Sequence, residues 1–415
     1  MLVAVFMLFV VGGMAALSID AVTIYTARSE AQLAADGAAL AAARMLANSG
    51  MTSNAAGLTA AAETLASAVA IQVAQNSLVG GRYLVATNGE VTVSFAGTTT
   101  NPKVTVRTQR TDLPTFFARI WGSRQITVAA SATAEAYNPS GAVSVSTSSA
   151  PPVAPICVKP WLLPNLDPTS STSGTIFGTD GSITNPSLLG WSSGTPMSSA
   201  CGTAGTCTLP LNTATPWNYY PGDQTSFPAP TTALPLCSLV PAPTLYQESI
   251  AGCVQLPISC NTTTAYVDMT AYGATRNGDT ADAVNCLAHT TNNNGDTVAS
   301  TAPPTAPFQF VVGSDNPVAV ANPALVLSDV VVSDSLVTVP VFNSIPSVAP
   351  TSPVTLMGFV QLFLQPNGSV ALDTGPTSGN INTTIVNMVG CGTNVSGPPI
   401  LGNGASPVAV RLISP

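Results

Sequence analysis

The sequence predicts an α+β fold in three parts: an N-terminal transmembrane helix that continues into a long stalk helix, a small α+β unit with an antiparallel sheet, and a β-rich, disulfide-containing C-terminal region. Three observations support this. Residues 1–19 carry no charge, all eight cysteines follow residue 156, and β-branched runs bounded by Pro, Gly and Asn fill the last hundred residues. The predicted boundaries are 1–50 for anchor and stalk, 51–137 for the α+β unit, 138–156 for a linker, 157–305 for a loop-rich cysteine-containing region and 306–415 for a β-rich domain.

The first 19 residues predict a membrane anchor, because 19 helical residues at about 1.5 Å each approach the roughly 30 Å of a bilayer core. The helical pattern then continues to a stop at Asn48-Ser49-Gly50. A helix of this length reaches roughly 70 Å, enough to cross a bilayer and lift a head clear of it. A signal peptide cleaved near Ala15-Ala16 or Ala21 is the alternative, although no basic n-region precedes the apolar run.

The α+β unit is predicted from local patterns. An apolar stripe from Leu58 to Val73, at spacings of three to four residues, predicts a helix over 54–78. Asn88-Gly89 between two alternating runs predicts a tight hairpin. The remaining predicted elements are a strand over 103–109, a short helix over 113–121 and a strand over 125–137. A second hairpin is predicted at Asn367-Gly368 in the last part of the chain.

The scarcity of charge excludes several functions. Charged residues make up 7% of the chain, against about 25% in an ordinary soluble protein. A net charge of −8 leaves no basic patch for phosphates, so nucleic-acid binding is not expected. One histidine limits general acid–base chemistry. No phosphate-binding glycine loop or dinucleotide fingerprint stands out, and we expect no cofactor.

The cysteines predict disulfides formed in an oxidising compartment, since their number is even and all follow the anchor. Their pairing stays open, with Cys201–Cys207 and Cys253–Cys260 the first candidates. Zinc is the alternative, but Cys286 and His289 form a C-x-x-H without a matching C-x-x-C. The candidate disulfide cysteines are Cys157, Cys201, Cys207, Cys237, Cys253, Cys260, Cys286 and Cys391.

Two signals disagree on orientation. Arg28 and Arg44 follow the apolar run and no basic residue precedes it, which alone would place the C-terminal side in the cytoplasm. The cysteines favour the opposite side. We follow the cysteines, and expect a short basic leader ahead of Met1 in the native protein.

The segment AALSIDAVTIYTARSEAQLAADGAALAAARML resembles the N-terminus of the TadE/TadG-like proteins of bacterial tight-adherence (Flp) pilus systems. The positions that carry this family pattern are Asp20, Tyr25, Arg28, Gln32 and Asp36. A second family signature resembles KVTVRTQRTDLPTFFARIWGSRQITVAASATAEA, so the resemblance covers about the first 137 residues.

The resemblance implies a membrane-anchored, non-enzymatic structural or assembly component of a pilus or related secretion apparatus, with a pilin-like stalk helix. It implies a single-pass protein of the bacterial inner membrane whose C-terminal bulk is periplasmic or extracellular. Its expected partners are the membrane and other pilus or secretion proteins, bound through the stalk, where Asp36 and Arg44 either pair with neighbouring subunits or form a solvated face. The Gly-x-x-x-x-Glu processing site of Flp prepilins is absent, because Leu17 and Ser18 stand five positions after Gly12 and Gly13, which argues against a major pilin.

Three alternatives are left open by the residues. An anchored adhesin would bind a glycan or protein through exposed aromatics of the head, with the candidates Trp161, Trp191, Trp217, Tyr219 and Tyr220. A secreted serine hydrolase would use the G-x-S-x-G at Gly190–Gly194 with Asp223 or Asp268 and His289, but its flanks do not fit a strand–turn–helix. A calcium site would use Asp279, Asp282 and Asp296, whose spacing is not that of an EF-hand.

Overall fold

The computed structural model describes residues 2–138, 152–170, 174–191, 197–199, 218–221, 243–259, 263–264, 276–289, 295–298, 305–343, 354–364, 379–392, 400–401 and 406–414. In these ranges the α-helices are α1 (Leu2–Asn48), α2 (Thr59–Gln75), α3 (Leu245–Ala251), α4 (Arg276–Leu287) and α5 (Pro317–Ala321). The strands are β1 (Leu78–Val79), β2 (Arg82–Tyr83), β3 (Val91–Gly97), β4 (Pro102–Pro114), β5 (Gln125–Tyr137), β6 (Val153–Ala154), β7 (Trp161–Pro164), β8 (Ser198–Ser199), β9 (Asn218–Pro221), β10 (Thr263–Thr264), β11 (Thr297–Val298), β12 (Phe310–Val311), β13 (Asp329–Val330), β14 (Leu336–Phe342), β15 (Val354–Leu364), β16 (Thr383–Gly390), β17 (Ile400–Leu401) and β18 (Ala409–Ser414).

Helix α1 runs without interruption from the apolar N-terminus into the first folded unit, as predicted. Its sequence is rich in alanine and contains no proline. It ends at Asn48, and Gly50 then takes the left-handed conformation with φ +83°. A Cβ on Gly50 would lie 3.0 Å from the carbonyl oxygen of Val386, so this position needs glycine for its conformation and for its close contact.

The first unit consists of α1 and α2 packed on a four-stranded antiparallel sheet in the order β18-β5-β4-β3. The second half of α1 buries alanines, and α2 buries Ala62, Ala66, Ala70 and Ala74, one per turn. Small side chains let the helices and the sheet approach closely. The Thr108 hydroxyl on β4 donates to the Ala31 carbonyl of α1 at 2.8 Å, which ties helix to sheet. The second half of α1 is therefore the core helix of this unit and does not form the free stalk that the length alone predicted.

Two local predictions for this unit are wrong. Strand β2 pairs with β1, and Asn88-Gly89 only closes a 3₁₀ turn over Ala86–Asn88, with Gly89 at φ +72°. The predicted helix over 113–121 is reduced to a 3₁₀ turn, Ala118–Trp121, because β4 stays paired with β5 as far as Pro114. The predicted strand over 125–137 is confirmed as β5, and the helix predicted over 54–78 is the shorter α2.

A second sheet forms the core of the C-terminal region. Its centre is antiparallel, with β15 between β14 and β16, and β7, β9, β8 and β10 extend it. Residues of all three central strands are buried, as are Trp161 and Tyr219, which meet edge to face at 6.1 Å. Helices α3 and α4 contact each other, and the hydroxyls of Tyr246 and Thr280 lie 2.8 Å apart. The predicted turn at Asn367-Gly368 lies outside the described residues.

The last strand of the chain crosses back to the first unit. Strand β18 pairs antiparallel with β5, with Ala409 opposite Tyr137. The Arg411 guanidinium contacts the Glu135 carboxylate at 2.8 Å and lies 5.8 Å above the Tyr137 ring. This pairing places the C-terminal strand in the sheet of the first unit. The predicted domain boundaries stay a prediction.

A buried amide fixes the end of α1 to the second sheet. Asn387 on β16 is fully buried, and its Nδ2 donates to the Ala47 carbonyl at 2.6 Å and to the Thr52 hydroxyl at 2.9 Å. Its Oδ1 accepts from the Ser53 hydroxyl. Asn138 adds a second link, since its Nδ2 donates to the Thr52 carbonyl at 2.8 Å and to the Met388 carbonyl of β16 at 3.1 Å. The first unit and the C-terminal sheet are thus hydrogen-bonded where α1 ends.

Candidate assembly surface on the long helix

Helix α1 has a buried face and an exposed face. On the buried side Ala27, Ala31, Ala34 and Ala38 lie in the core at spacings of three to four residues. Before Ala27, the side chains that the structure describes from Val3 to Ile19 are exposed or half-buried, and Asp20 is the first buried one. We call the folded part of the protein after Asp20 the head. The head thus begins to cover the helix where the apolar segment, residues 1–19, ends.

Large apolar side chains lie on the opposite side of the helix. We call Val11, Met14, Val22, Tyr25 and Leu33 the exposed stripe; each is exposed, Tyr25 by 76% and Leu33 by 74%. Val11, Val22 and Leu33 are eleven residues apart, as are Met14 and Tyr25. Eleven residues are close to three helical turns, so the members lie along one line of the helix. The exposed Ser18 and Ser29 lie on the same line in the gaps, so the stripe is a row of separate apolar side chains that repeats every eleven residues. Single exposed apolar residues are ordinary, and it is this repetition along one line that makes the stripe a candidate contact surface.

Asp20 has a structural role that its position in the sequence does not disclose. Its carboxylate accepts the backbone N–H groups of Phe116 at 2.8 Å, Phe117 at 3.0 Å and Ala118 at 2.7 Å. These donors begin the 3₁₀ turn between β4 and β5, where N–H groups lack backbone partners. The acidic residue at the end of the apolar segment therefore holds a distant loop against the helix.

The other family-pattern residues divide between the two faces. The Gln32 amide donates to Asp36 at 2.8 Å and to the Ser131 carbonyl of β5 at 3.2 Å, so both side chains are engaged within the protein. Tyr25 and Arg28 are exposed. Sequence analysis did not single out Glu30, whose carboxylate accepts the N–H of Gly80 at 2.6 Å. Gly80 and Gly81 follow the helix predicted over 54–78, and this pair is the sequence signal for the turn.

Cys253 forms a disulfide with a cysteine other than the predicted one. Cys253 bonds to Cys157 across 96 residues, so the predicted Cys253–Cys260 pair is wrong. The physical reason is that segment 253–258 runs along 155–157, with the Cys157 N–H donating to the Val254 carbonyl at 2.9 Å. Cys286 and Cys391 are also disulfide-bonded, which leaves no Cys286 thiolate for zinc. Cys201, Cys207, Cys237 and Cys260 lie outside the described residues.

The disulfide lies beside a buried cation. The Lys159 ammonium is buried and donates to the carbonyls of Ile250 at 2.5 Å and Gly252 at 2.8 Å, at the end of α3. Burial lowers the pKa of Lys159 to about 7, although the negative charge of Asp334 opposes the shift. Together the lysine and the disulfide attach α3 to the strand segment that leads into β7.

The single histidine joins α4 to two loops. Its Nδ1 lies 3.1 Å from an Asp315 carboxylate oxygen and its Nε2 3.4 Å from one of Asp334. The hydrogen bond to Asp334 raises the pKa of His289; burial opposes this, and the charges of Asp315 and Asp334 support it. Among the described residues no group of three His, Cys, Asp or Glu side chains is arranged to hold a metal ion, and His289, Asp315 and Asp334 form an ion-pair cluster.

The ion pair predicts a pH-dependent contribution to stability. Because the pKa of His289 is higher in the folded state, the charged imidazole stabilises the fold fully below about pH 6.5 and less as pH rises through the raised value. We expect the difference in unfolding free energy between wild type and His289→Gln to shrink from about pH 6 to pH 8. Denaturant titrations of the full chain in detergent measure it, and a pH-independent difference would contradict the ion pair.

The structure describes some of the residues on which the three alternatives rest. Of the five adhesin candidates, Trp161, Tyr219 and Tyr220 are buried, Trp191 is half-buried, and Trp217 lies outside the described residues. Trp161, Tyr219 and Tyr220 pack in the core, so their choice as binding residues was wrong. Ser192, Asp223 and Asp268 of the hydrolase hypothesis also lie outside the described residues. Of the calcium candidates, Asp296 accepts from Gly313 N–H and the Asn316 amide, both at 2.8 Å.

The architecture is that of a protein with a folded unit carried on an apolar N-terminal helix. The second half of α1 packs on an antiparallel sheet, and its first half is apolar and extends beyond that sheet. Among the described residues α1 is the one helix long and apolar enough to cross a membrane.

Comparison with known families agrees with this architecture. Residues 1–45 match the family described as putative Flp pilus-assembly TadE/G-like, and residues 40–134 match the family described as putative Tad-like Flp pilus-assembly. No curated protein and no solved structure matches the chain. The resemblance is thus confirmed over residues 1–134, and these domains indicate a component of Flp pilus assembly.

Proposed function

We propose that this protein is a membrane-anchored, non-enzymatic component of a tight-adherence (Flp) pilus or related secretion apparatus. It spans the bacterial inner membrane once, with its C-terminal bulk periplasmic or extracellular. The observation that carries the proposal is the exposed stripe, which runs from the apolar segment of α1 onto the head-bearing half. On this helix the buried face holds the head, so the opposite face is available to other proteins.

Anchoring is supported by the chemistry of the first turns. Residues 1–19 contain no charged group, and their described side chains include exposed Val3, Met7 and Leu17. Apolar side chains exposed around a helix favour lipid over water. The first carboxylate, Asp20, accepts three N–H groups from the head instead of facing lipid. The boundary between lipid and head thus falls between Ile19 and Asp20.

The orientation is supported by the disulfides. Cys157 bonds to Cys253, and Cys286 and Cys391 are bonded as well. Such bonds form and persist outside the reducing cytoplasm. We therefore place the residues after Asp20 on the periplasmic side, against the direction that Arg28 and Arg44 alone would give.

The stripe suits contacts with other helices. Its members Val22, Tyr25 and Leu33 lie beyond the apolar segment, where an exposed row of large apolar side chains has no lipid to cover it. Burying an apolar side chain of this size against a partner contributes about 1.5–3 kcal/mol. A spacing of eleven residues is the repeat of helices packed in a right-handed supercoil.

Site-specific photo-crosslinking in the native host tests the proposal. A photoreactive phenylalanine analogue replaces Tyr25 in the full chain, and Ala61, an exposed position on α2, serves as the control. We expect position 25 to capture pilus-assembly or pilin proteins and position 61 to capture none of them. Equal capture at both positions, or no capture of such proteins at position 25, would refute the role of the stripe.

A further inference from the structure

The loop over residues 115–124 is attached to α1 at the level where the apolar segment ends. Asp20 directly follows Ile19, and its carboxylate accepts the N–H groups of Phe116, Phe117 and Ala118 at 2.7–3.0 Å. One helical turn rises about 5.4 Å, so this loop lies within roughly a turn of the last apolar residue. No free stalk separates the loop from that boundary, because Asp20 is already buried.

The loop has a defined conformation. Its ends are joined by the Thr115 N–H, which donates to the Arg124 carbonyl at 3.3 Å, and by the Thr115 hydroxyl, which donates to the Ser123 carbonyl. The Ser123 N–H closes the inner turn on the Ala118 carbonyl at 3.3 Å. Gly122 supplies the left-handed residue this turn needs, at φ +98°. Phe116, Arg119 and Arg124 therefore project from a backbone that these hydrogen bonds hold in place.

The exposed side chains of this loop combine apolar surface with positive charge. Phe116 is 58% exposed, and Arg119 and Arg124 are both exposed. Arg119 and Arg124 are two of the 11 Lys and Arg residues in the chain of 415. Aromatic rings insert at the boundary between headgroups and acyl chains, and guanidinium groups pair with phosphate oxygens.

We propose that loop 115–124 is an interfacial element that lies on the phospholipid headgroups of the bilayer crossed by α1. The proposal rests on the anchoring proposed above, and the continuity of the loop with the end of the apolar segment identifies the bilayer as its partner. Phe116 inserts below the headgroups, while Arg119 and Arg124 bind their phosphates. Through Asp20, this contact sets the tilt and rotation of the head relative to the membrane.

Photo-crosslinking of the purified full chain in vesicles tests the proposal. A photoreactive phenylalanine analogue is placed at Phe116, at Leu17 within the proposed span, or at Leu327, which is 79% exposed in the C-terminal region. The vesicles contain phosphatidylethanolamine and phosphatidylglycerol, and adducts are identified by mass spectrometry. We expect lipid adducts at positions 17 and 116 and none at 327. In the double variant Arg119→Gln/Arg124→Gln, the yield at position 116 should fall several-fold and the yield at 17 should not change.

The labels at positions 17 and 116 distinguish the proposal of the membrane anchor from the proposal of the loop contact. Lipid adducts at position 17 with none at position 116 would overturn the loop proposal and leave the anchor intact. Absence of lipid adducts at position 17 would overturn both. Adducts between position 116 and a second copy of the chain, in place of lipid, would assign the loop to a protein interface and refute the lipid contact.

Discussion

Replacing both Cys157 and Cys253 by alanine should lower the free energy of unfolding of the C-terminal region by about 4 kcal/mol. The bond closes a loop of 96 residues, and loop-closure entropy for a cross-link of this length amounts to roughly 4–5 kcal/mol. The loss should be local, because the bond joins the segment before β7 to the segment after α3. Denaturant titration of the full chain measures the loss, and limited proteolysis should show the first new cleavage between residues 152 and 259.

The two single variants provide the control for this prediction. A disulfide needs both sulfurs, so Cys157→Ala, Cys253→Ala and the double variant should lose about the same free energy. Losses that add up in the double variant would mean that the two cysteines act independently. A double variant as stable as the wild type would contradict the pairing.

Truncating Asn387 should cost about 3 kcal/mol, the largest loss we expect from one polar side chain. The amide is fully buried and bonds to the Ala47 carbonyl and to the hydroxyls of Thr52 and Ser53. In Asn387→Ala the Ala47 carbonyl and the Thr52 hydroxyl lose this partner, whereas the Ser53 hydroxyl keeps its hydrogen bonds to the backbone of Met388. Each unsatisfied buried group costs about 1–3 kcal/mol. Hydrogen exchange should increase most at the end of α1 and in β16, since the amide joins them.

Asn76 offers a matched control for this substitution. It follows α2 and is exposed, so Asn76→Ala should change the unfolding free energy by less than about 0.5 kcal/mol. A loss in Asn387→Ala no larger than in Asn76→Ala would show that the junction does not depend on the amide.

The elements that sequence analysis identified are those with local signals. The length of α1 follows from an uninterrupted run of helix-forming residues, and its end from Asn48-Ser49-Gly50. Strand β5 was predicted with its observed bounds from a run that contains the β-branched residues Ile126, Thr127 and Val128 in succession. The predicted Asn88-Gly89 hairpin was wrong because β2 pairs with β1, which precedes it directly, although the turn itself is present.

The features that sequence analysis missed depend on contacts between distant residues. The sequences of β18 and β5 contain no signal that the two strands pair, although Ala409 lies opposite Tyr137 in the sheet. Asp20 was recognised as part of a family pattern, but its partners at Phe116–Ala118 lie nearly a hundred residues away. The prediction that Trp161 is an exposed binding residue was wrong for a related reason. A tryptophan has the same sequence signal whether it faces solvent or the core.

The exposed stripe became visible only once the buried side of α1 was known. Alanine packs against the sheet at Ala27, Ala31 and Ala34, where a larger side chain would separate helix and sheet. In the sequence, the large apolar residues Val22 and Leu33 resemble core positions and the alanines resemble a solvated face. The reverse is true in the folded protein, because close packing favours the smaller side chain.

The most direct test of the central claim is fractionation of the native host followed by affinity purification of the full chain from solubilised inner membranes. We predict that the protein resists alkaline extraction, that protease added to spheroplasts digests its C-terminal bulk, and that pilus-assembly proteins co-purify with it. A protein found in the soluble fraction, or one recovered from the membrane without any pilus component, would contradict a membrane-anchored role in pilus assembly.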